Sequence, residues 1–184
     1  MPILGIIASS FRSAAGPDGA YDALATVTVP SGGLASIDFA GIPNTYKHLQ
    51  IRTIARSNGS ATNLSLTFNG DTNNANYYAR HILYGDGSTA AAISNQTLTG
   101  ITTGSVSANT TSLVAPNIID LLDYSNTSKN KTLRSLGGHD ANGSGFIILG
   151  SGLWMNTAAI NSVNITCFSG SFTEHTQFSL YGVR

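Results

Sequence analysis

The chain has 184 residues, which suffice for one domain with a packed core and are few for two. Charged residues make up only 10% of it and the formal net charge is zero. No basic field is present that would displace counterions from DNA or RNA, so we expect no nucleic-acid partner. Ser, Thr, Asn and Gly form much of the polar remainder, a composition that disfavours helices and suits strands joined by tight turns.

A short apolar run opens the chain, and a spacer with Gly, Ser and Pro turn signals follows it. The run is too short to fold alone. It either packs on its own domain or docks on a neighbouring subunit, and the spacer favours docking. The docking side chains would be Ile3, Leu4, Ile6 and Ile7. We therefore predict an N-terminal arm and linker over residues 1–22, and a single domain over residues 23–184.

Alternating apolar and polar residues begin at Ala23, and this period of two is typical of strands with one buried face. Turn signals separate the runs, as at Asn69–Asn74 and Asp140–Gly145. The predicted strands are Thr26–Val29, Leu34–Phe39, Lys47–Arg56, Leu64–Phe68, Tyr77–Tyr84, Lys131–Leu136, Phe146–Met155, Ala159–Phe168 and Phe178–Val183.

The strand Lys47–Arg56 carries a partly basic face formed by His48, Arg52 and Arg56. One interpretation is the solvated face of an antiparallel sheet. The other is a subunit interface, because arginine suits ion pairs between chains.

The middle of the chain has weaker patterning. Residues 86–112 predict a long excursion with one or two short strands around Gln96–Thr102. A short helical turn is predicted near Ile118–Leu122. About ten strands with turns every 8–12 residues indicate an all-β antiparallel β-sandwich or jelly roll. Its edge strands would be covered by forming an oligomer.

No common catalytic motif occurs in the sequence, neither a Gly-x-Ser-x-Gly elbow, a His-Glu-x-x-His pair nor a dinucleotide fingerprint. We expect no catalysis and no cofactor. The loops Asn69–Asn74 and Asp140–Ser144 offer oxygen ligands for calcium, but neither matches a full signature and turn chemistry explains both. Cys167 predicts a buried, inert thiol. No apolar stretch approaches about 20 residues, so we expect no membrane insertion.

The aromatic residues predict either core packing or contact with a ligand. Trp154 lies inside a predicted strand, which favours the core. Tyr77 and Tyr78 follow a loop, and since neighbouring strand residues face opposite ways, one of them should point outward. That tyrosine is the candidate contact for a glycan or a protein partner.

Several segments resemble small structural proteins in the particles of tailed bacteriophages, including cyanophages. The segments are Met1–Ser10, Gly41–Arg52, Asp123–Gly138, Asn142–Gly145, Ser151–Trp154 and Gln177–Val183. The resemblance covers most of the chain except about residues 86–112. Members of the group are described as tail-fibre, baseplate-associated or head-decorating proteins, so the resemblance implies a place in the virion without saying which part.

Together these features predict a virion structural protein that assembles in the host cytoplasm, anchored through its arm to other virion proteins and paired with itself, most plausibly as a trimer. We favour a module of the tail fibre or baseplate. The alternatives are a capsid decoration protein and a module that binds glycans on the host surface. A polysaccharide-degrading enzyme is disfavoured because acidic residues, which such chemistry needs in pairs, are sparse.

Overall fold

The computed structural model describes residues 19–60, 63–72, 78–108 and 113–184. Within these ranges the regular secondary structure consists entirely of β-strands, which form two sheets packed as a β-sandwich. The all-β antiparallel sandwich predicted from the alternating runs is confirmed. No helix in the described part of the chain is long and apolar enough to cross a membrane. The arm residues Ile3, Leu4, Ile6 and Ile7 lie outside the described residues.

Thirteen strands occur in the described ranges. They are β1 (Tyr21–Thr28), β2 (Ser36–Ala40), β3 (His48–Ser57), β4 (Leu64–Phe68), β5 (Tyr78–Gly85), β6 (Ala90–Leu98), β7 (Ile101–Thr103), β8 (Ser107–Ala108), β9 (Ala115–Leu122), β10 (Lys131–Asp140), β11 (Gly145–Trp154), β12 (Ser162–Cys167) and β13 (Gln177–Val183).

The large sheet contains eight antiparallel strands in the order β1-β13-β3-β9-β10-β11-β5-β6, and the two-residue β8 adds in parallel to the end of β3. The small sheet has the order β2-β12-β4-β7. Strands far apart in sequence are therefore neighbours in both sheets. The register between them decides which side chains share a face.

The core lies between the two sheets, where the period of two directs alternate side chains inward. In the large sheet Leu49, Ile51 and Ile119 are fully buried, and they are met by Leu66 and Ile165 from the small sheet. The other side of the large sheet faces away from the small sheet, and we call it the outer face.

An aromatic cluster fills one end of the core. Trp154 is 1% exposed, and its ring lies 5.6 Å from that of Phe68 and is stacked 6.2 Å from that of Tyr78. The indole Nε1 donates a hydrogen bond of 3.0 Å to Oδ2 of Asp71. The core position predicted for Trp154 is confirmed.

Small residues let β7 approach the centre of the large sheet. A Cβ atom on Gly150 would lie 2.5 Å from Oγ1 of Thr103, and one on Gly152 would lie 2.6 Å from Cγ2 of Ile101. Both distances are shorter than any contact a real Cβ makes. Glycine at these two positions of β11 therefore sets how closely the sheets pack.

A buried asparagine joins three segments of the sandwich. Oδ1 of Asn117 accepts from the backbone N–H of Ser105 at 2.5 Å, and its Nδ2 donates to Oγ1 of Thr53 at 2.9 Å and to the carbonyl oxygen of Ser105 at 2.8 Å. Because its amide is paired, burial of this polar group carries little desolvation penalty.

The helical turn predicted near Ile118–Leu122 is wrong, because that segment belongs to strand β9. Ile119 and Leu121 point into the core while Ile118 and Asp120 alternate with them on the other side. In the sequence, Pro116 interrupts the apolar stretch Ser112–Tyr124. It lies before the pairing with β10 begins at Asn117, so its missing N–H breaks no hydrogen bond on that side.

Two segments have more strand structure than the sequence predicts. The weakly patterned residues 86–112 contain the nine-residue β6 as well as β7 and β8. Strand β1 begins at Tyr21, two residues inside the predicted linker, because its backbone pairs with β13 from Val183 onward. Both β1 and β6 are edge strands of the large sheet, and each pairs with its neighbour over residues whose local composition does not predict a strand.

The hairpin predicted at Asp140–Gly145 is confirmed and joins β10 to β11. Asn142 and Gly143 have φ angles of 56° and 97°, and the N–H of Ala141 donates to the carbonyl oxygen of Ser144 at 2.7 Å. Two successive positive φ angles match the twist of adjoining strands, which is why Asn-Gly is favoured there.

Cys167 lies at the end of β12 and is 8% exposed. Burial raises the pKa of its thiol to about 12. The thiol stays protonated at neutral pH and is therefore a poor nucleophile, which agrees with the buried cysteine predicted.

Candidate interaction surface on the outer face

The outer face of the large sheet carries a row of apolar side chains. Backbone pairing places Ile118 beside Leu136, Leu136 beside Leu149, and Leu149 beside Leu83. These four residues come from β9, β10, β11 and β5 and lie in one line across the strands. We call them the apolar row. Each is between 46% and 52% exposed.

A second line of apolar residues runs beside the apolar row. It contains Ile54, which pairs with Pro116, and Ile147, which pairs with Gly138 and Gly85. Ile147 is 60% exposed. The glycines expose backbone on either side of it, and an open groove of about 910 Å³ follows their strands toward the β10–β11 turn.

Exposed apolar residues are concentrated on this face. Ten large apolar side chains are exposed in the described ranges, and six of them belong to these two lines. An antiparallel sheet that faces water on one side normally alternates apolar-in with polar-out. Burial of a half-exposed leucine or isoleucine against a partner would contribute roughly 1 kcal/mol of favourable hydrophobic free energy. A contiguous patch of this kind is typical of an interaction surface.

A hydrogen-bonded polar network borders the apolar row on its other side. Nε of Arg52 donates to Gln50 at 2.7 Å, Nε2 of Gln50 donates to Asp120 at 2.8 Å, and Nε of Arg134 donates to the second oxygen of Asp120 at 2.9 Å. Ser151 and His81 continue this line across β11 and β5. Arg52, Gln50, Asp120 and Arg134 are therefore joined in one hydrogen-bonded network, which forms a polar rim on this side of the apolar centre.

The predicted basic face of β3 lies at one side of the same surface. Arg52 stacks between Tyr21 and Tyr181, with its guanidinium carbon 5.1 and 4.8 Å from the two ring centroids. His48 accepts the N–H of Asp123 at 2.9 Å, and Nε of Arg56 donates to Thr173 at 2.8 Å. All three predicted residues therefore point to the outer face. Their contact with another subunit stays a prediction.

No protein-family model, no curated protein and no solved structure matches the chain.

Tyr78 cannot make the contact predicted for one of Tyr77 and Tyr78, because this tyrosine is 1% exposed. Its hydroxyl accepts the N–H of Phe68 at 3.0 Å and donates to the carbonyl oxygen of Asp71 at 2.9 Å. Burial raises its pKa to about 12. Trp154 in β11 is paired directly with Tyr78 in β5. Residues paired in this way share one face of the sheet, so both side chains point inward. Tyr77 lies outside the described residues.

The two loops considered for calcium use their described side chains for structural hydrogen bonds. Asn69 accepts the N–H of Asn161 at 2.9 Å, and Asp71 accepts from Trp154. Asp140 accepts the N–H of Asn142 at 2.7 Å inside its turn. In the part of the chain that the structure describes, no three His, Cys, Asp or Glu side chains are grouped as metal ligands.

Sequence reasoning missed the apolar row. A signal was present in Ile118-Ile119 and in Ile147-Ile148-Leu149, where consecutive apolar residues must face both sides of a strand. Only the register of four strands shows that the outward members form one line.

A half-buried histidine in the lining of the groove predicts a dependence of stability on pH. His139 packs edge-on against Phe146, with ring centroids 4.8 Å apart, and its Nδ1 lies 3.2 Å from Oγ of Ser105. Burial lowers the pKa of His139, although Asp140 acts in the opposite direction. The unfolded chain then binds a proton at a higher pH than the folded chain does. Stability from this group is complete above about pH 6.5 and declines as the pH falls further.

We expect the urea midpoint to fall between pH 7.5 and pH 5.5, and to fall less in the His139→Gln variant. Equal falls in the two proteins would contradict this assignment.

Proposed function

We propose that this chain is a structural protein of a bacteriophage particle that acts by assembly rather than by catalysis. The observation that carries the proposal is the apolar row on the outer face. A sheet that bears four half-exposed Leu and Ile side chains in line is suited to bind another protein surface. Low charge leaves the free chain little colloidal protection, which also favours a bound state.

The resemblance to virion proteins supports the phage context. One of its segments, Asp123–Gly138, contains Arg134 of the polar rim and Leu136 of the apolar row. Another, Gly41–Arg52, contains Gln50 and Arg52 of the same rim. Part of the proposed assembly surface therefore lies within segments that suggest the family.

Within the particle we favour the tail fibre or baseplate, with residues 1–16 binding a neighbouring virion protein. Decoration of the head is the alternative, since the resemblance includes proteins of both kinds. A glycan-binding role has less support, because Tyr78 is buried and the apolar row offers neither an aromatic platform nor hydrogen-bond donors.

Immunogold electron microscopy of the purified phage that encodes this chain tests the proposal. An antibody raised against the recombinant protein should label intact particles at one repeated position, and that position distinguishes tail from head. Particles of a phage that lacks the gene are the control. Detection of the protein in infected-cell lysate but not on purified particles would contradict a structural role.

A further inference from the structure

We infer that the outer face of the large sheet binds the outer face of a second copy of this chain, with the two apolar rows facing each other in a two-fold dimer. This inference rests on the proposed assembly function, names the partner of that surface, and replaces the trimer expected from the sequence with a two-fold dimer. Face-to-face packing of two sheets, with apolar side chains between them, is the same arrangement that forms the core of a β-sandwich.

The dimensions of the face suit a stable dimer. Eight strands about 4.8 Å apart span about 38 Å, and three neighbouring lines of side chains span about 20 Å along the strands, which gives an area of roughly 760 Å². The part of it on the five strands that carry the apolar side chains, from β3 to β5, is about 480 Å². The whole area is close to the roughly 800 Å² that each partner buries in a stable protein interface.

The distribution of polarity also fits an interface. Its centre is formed by the apolar row together with Ile54 and Ile147, and its rim by the network of Arg52, Gln50, Asp120 and Arg134. Stable interfaces have this arrangement of a dry apolar centre inside a polar rim.

Electrostatics permits the same face to meet itself. The two arginines of the rim are bridged by Asp120 and Gln50, so the network carries a small net charge. Two copies therefore bring little like-charge repulsion together. A surface that is apolar and nearly neutral is self-complementary, which is the requirement for a two-fold contact.

The competing occupant is the apolar segment Met1–Ala8 of the arm. Fully extended, eight residues reach about 26 Å, enough to follow the apolar row. One extended segment covers a single line of side chains, however, whereas Ile54 and Ile147 lie in the neighbouring line. A second sheet covers both lines at once.

Sedimentation velocity of the full chain at micromolar concentration tests the inference. We expect a mass of twice the 19.1 kDa of one chain. The double variant Leu136→Lys with Leu149→Lys should weaken dimerisation by roughly 100-fold or more, because two ammonium groups would be buried at the centre of the contact. Both side chains are half exposed, so the lysine stems lie along the sheet of the free monomer and its fold persists. Circular dichroism checks that it does.

Two further variants make the result specific. Phe168→Lys introduces the same charge at a residue that is 68% exposed and follows β12 of the small sheet, and it should leave the dimer intact. The arm variant Ile3→Lys with Ile7→Lys should also remain a dimer. Loss of the dimer in the arm variant, or a monomeric or trimeric wild type, would overturn the inference.

These outcomes are separate from those of the particle experiment. A monomeric wild-type chain that labels particles would refute the pairing and leave the structural role standing. A dimer that is absent from particles would refute the structural role and leave the pairing standing.

Discussion

Replacing Trp154 with alanine is expected to lower the free energy of unfolding by about 4 kcal/mol, a typical loss on removal of a buried aromatic side chain. The side chain is 1% exposed and packs against both Phe68 and Tyr78. Its loss leaves a cavity at the end of the core where β4, β5 and β11 meet. It also removes the indole N–H that Asp71 accepts.

The measurement is urea denaturation followed by far-UV circular dichroism, since the variant lacks the only tryptophan of the chain. Phe168→Ala is the matched control, because that ring is 68% exposed and its removal should change stability by about 0.5 kcal/mol or less. Similar losses in the two variants would mean that the aromatic cluster does not anchor the core.

Replacing Lys131 with methionine is expected to lower the free energy of unfolding by about 3 kcal/mol. The lysine is 1% exposed, and its Nζ donates to the carbonyl oxygens of Asn126, Lys129 and Thr157 at 2.5, 2.8 and 2.9 Å. Methionine fills a similar volume but donates no hydrogen bond. The three carbonyl oxygens, which hold the loop before β10 against the segment after β11, would then be left without this partner.

Lys129→Met provides the control two residues away. That lysine forms a surface ion pair with Asp123, and its side chain is 55% exposed. Surface pairs of this kind contribute at most about 1 kcal/mol, so the control should lie close to the wild type in thermal and urea unfolding. A stable Lys131→Met variant would show that relief of a buried charge outweighs the lost hydrogen bonds. Burial does lower the pKa of Lys131, which indicates that such a penalty exists.

The fold was largely predictable because strand signals are local. Alternation in Lys47–Arg56 correctly placed Leu49, Ile51, Thr53 and Ala55 inward, and Asn142-Gly143 correctly marked the hairpin. Predictions were wrong or incomplete where pairing with a distant strand overrode local composition. Strand β6 is an example, since its sequence begins with three alanines and carries little strand signal, yet it pairs along β5.

The interaction surface was less predictable. Sequence reasoning chose Arg52 and Arg56 correctly as outward residues, but it did not connect Arg52 to Gln50, Asp120 and Arg134. Those contacts join β3, β9 and β10, and the last two of these residues lie about 70 and 80 positions beyond Arg52 in the sequence. Likewise, only the structure shows that Tyr78 lies on the face of β5 that covers the core.

Local sequence patterns were enough to predict that this protein is all-β, that its turns fall at Asn- and Gly-rich segments, and that Trp154 belongs to the core. These properties follow from the period of two along each strand and from the backbone angles that each residue tolerates. The exposed row formed by Ile118, Leu136, Leu149 and Leu83, in contrast, is visible only in the folded chain. Their alignment depends on the register between strands, which is set by packing of the opposite, buried face.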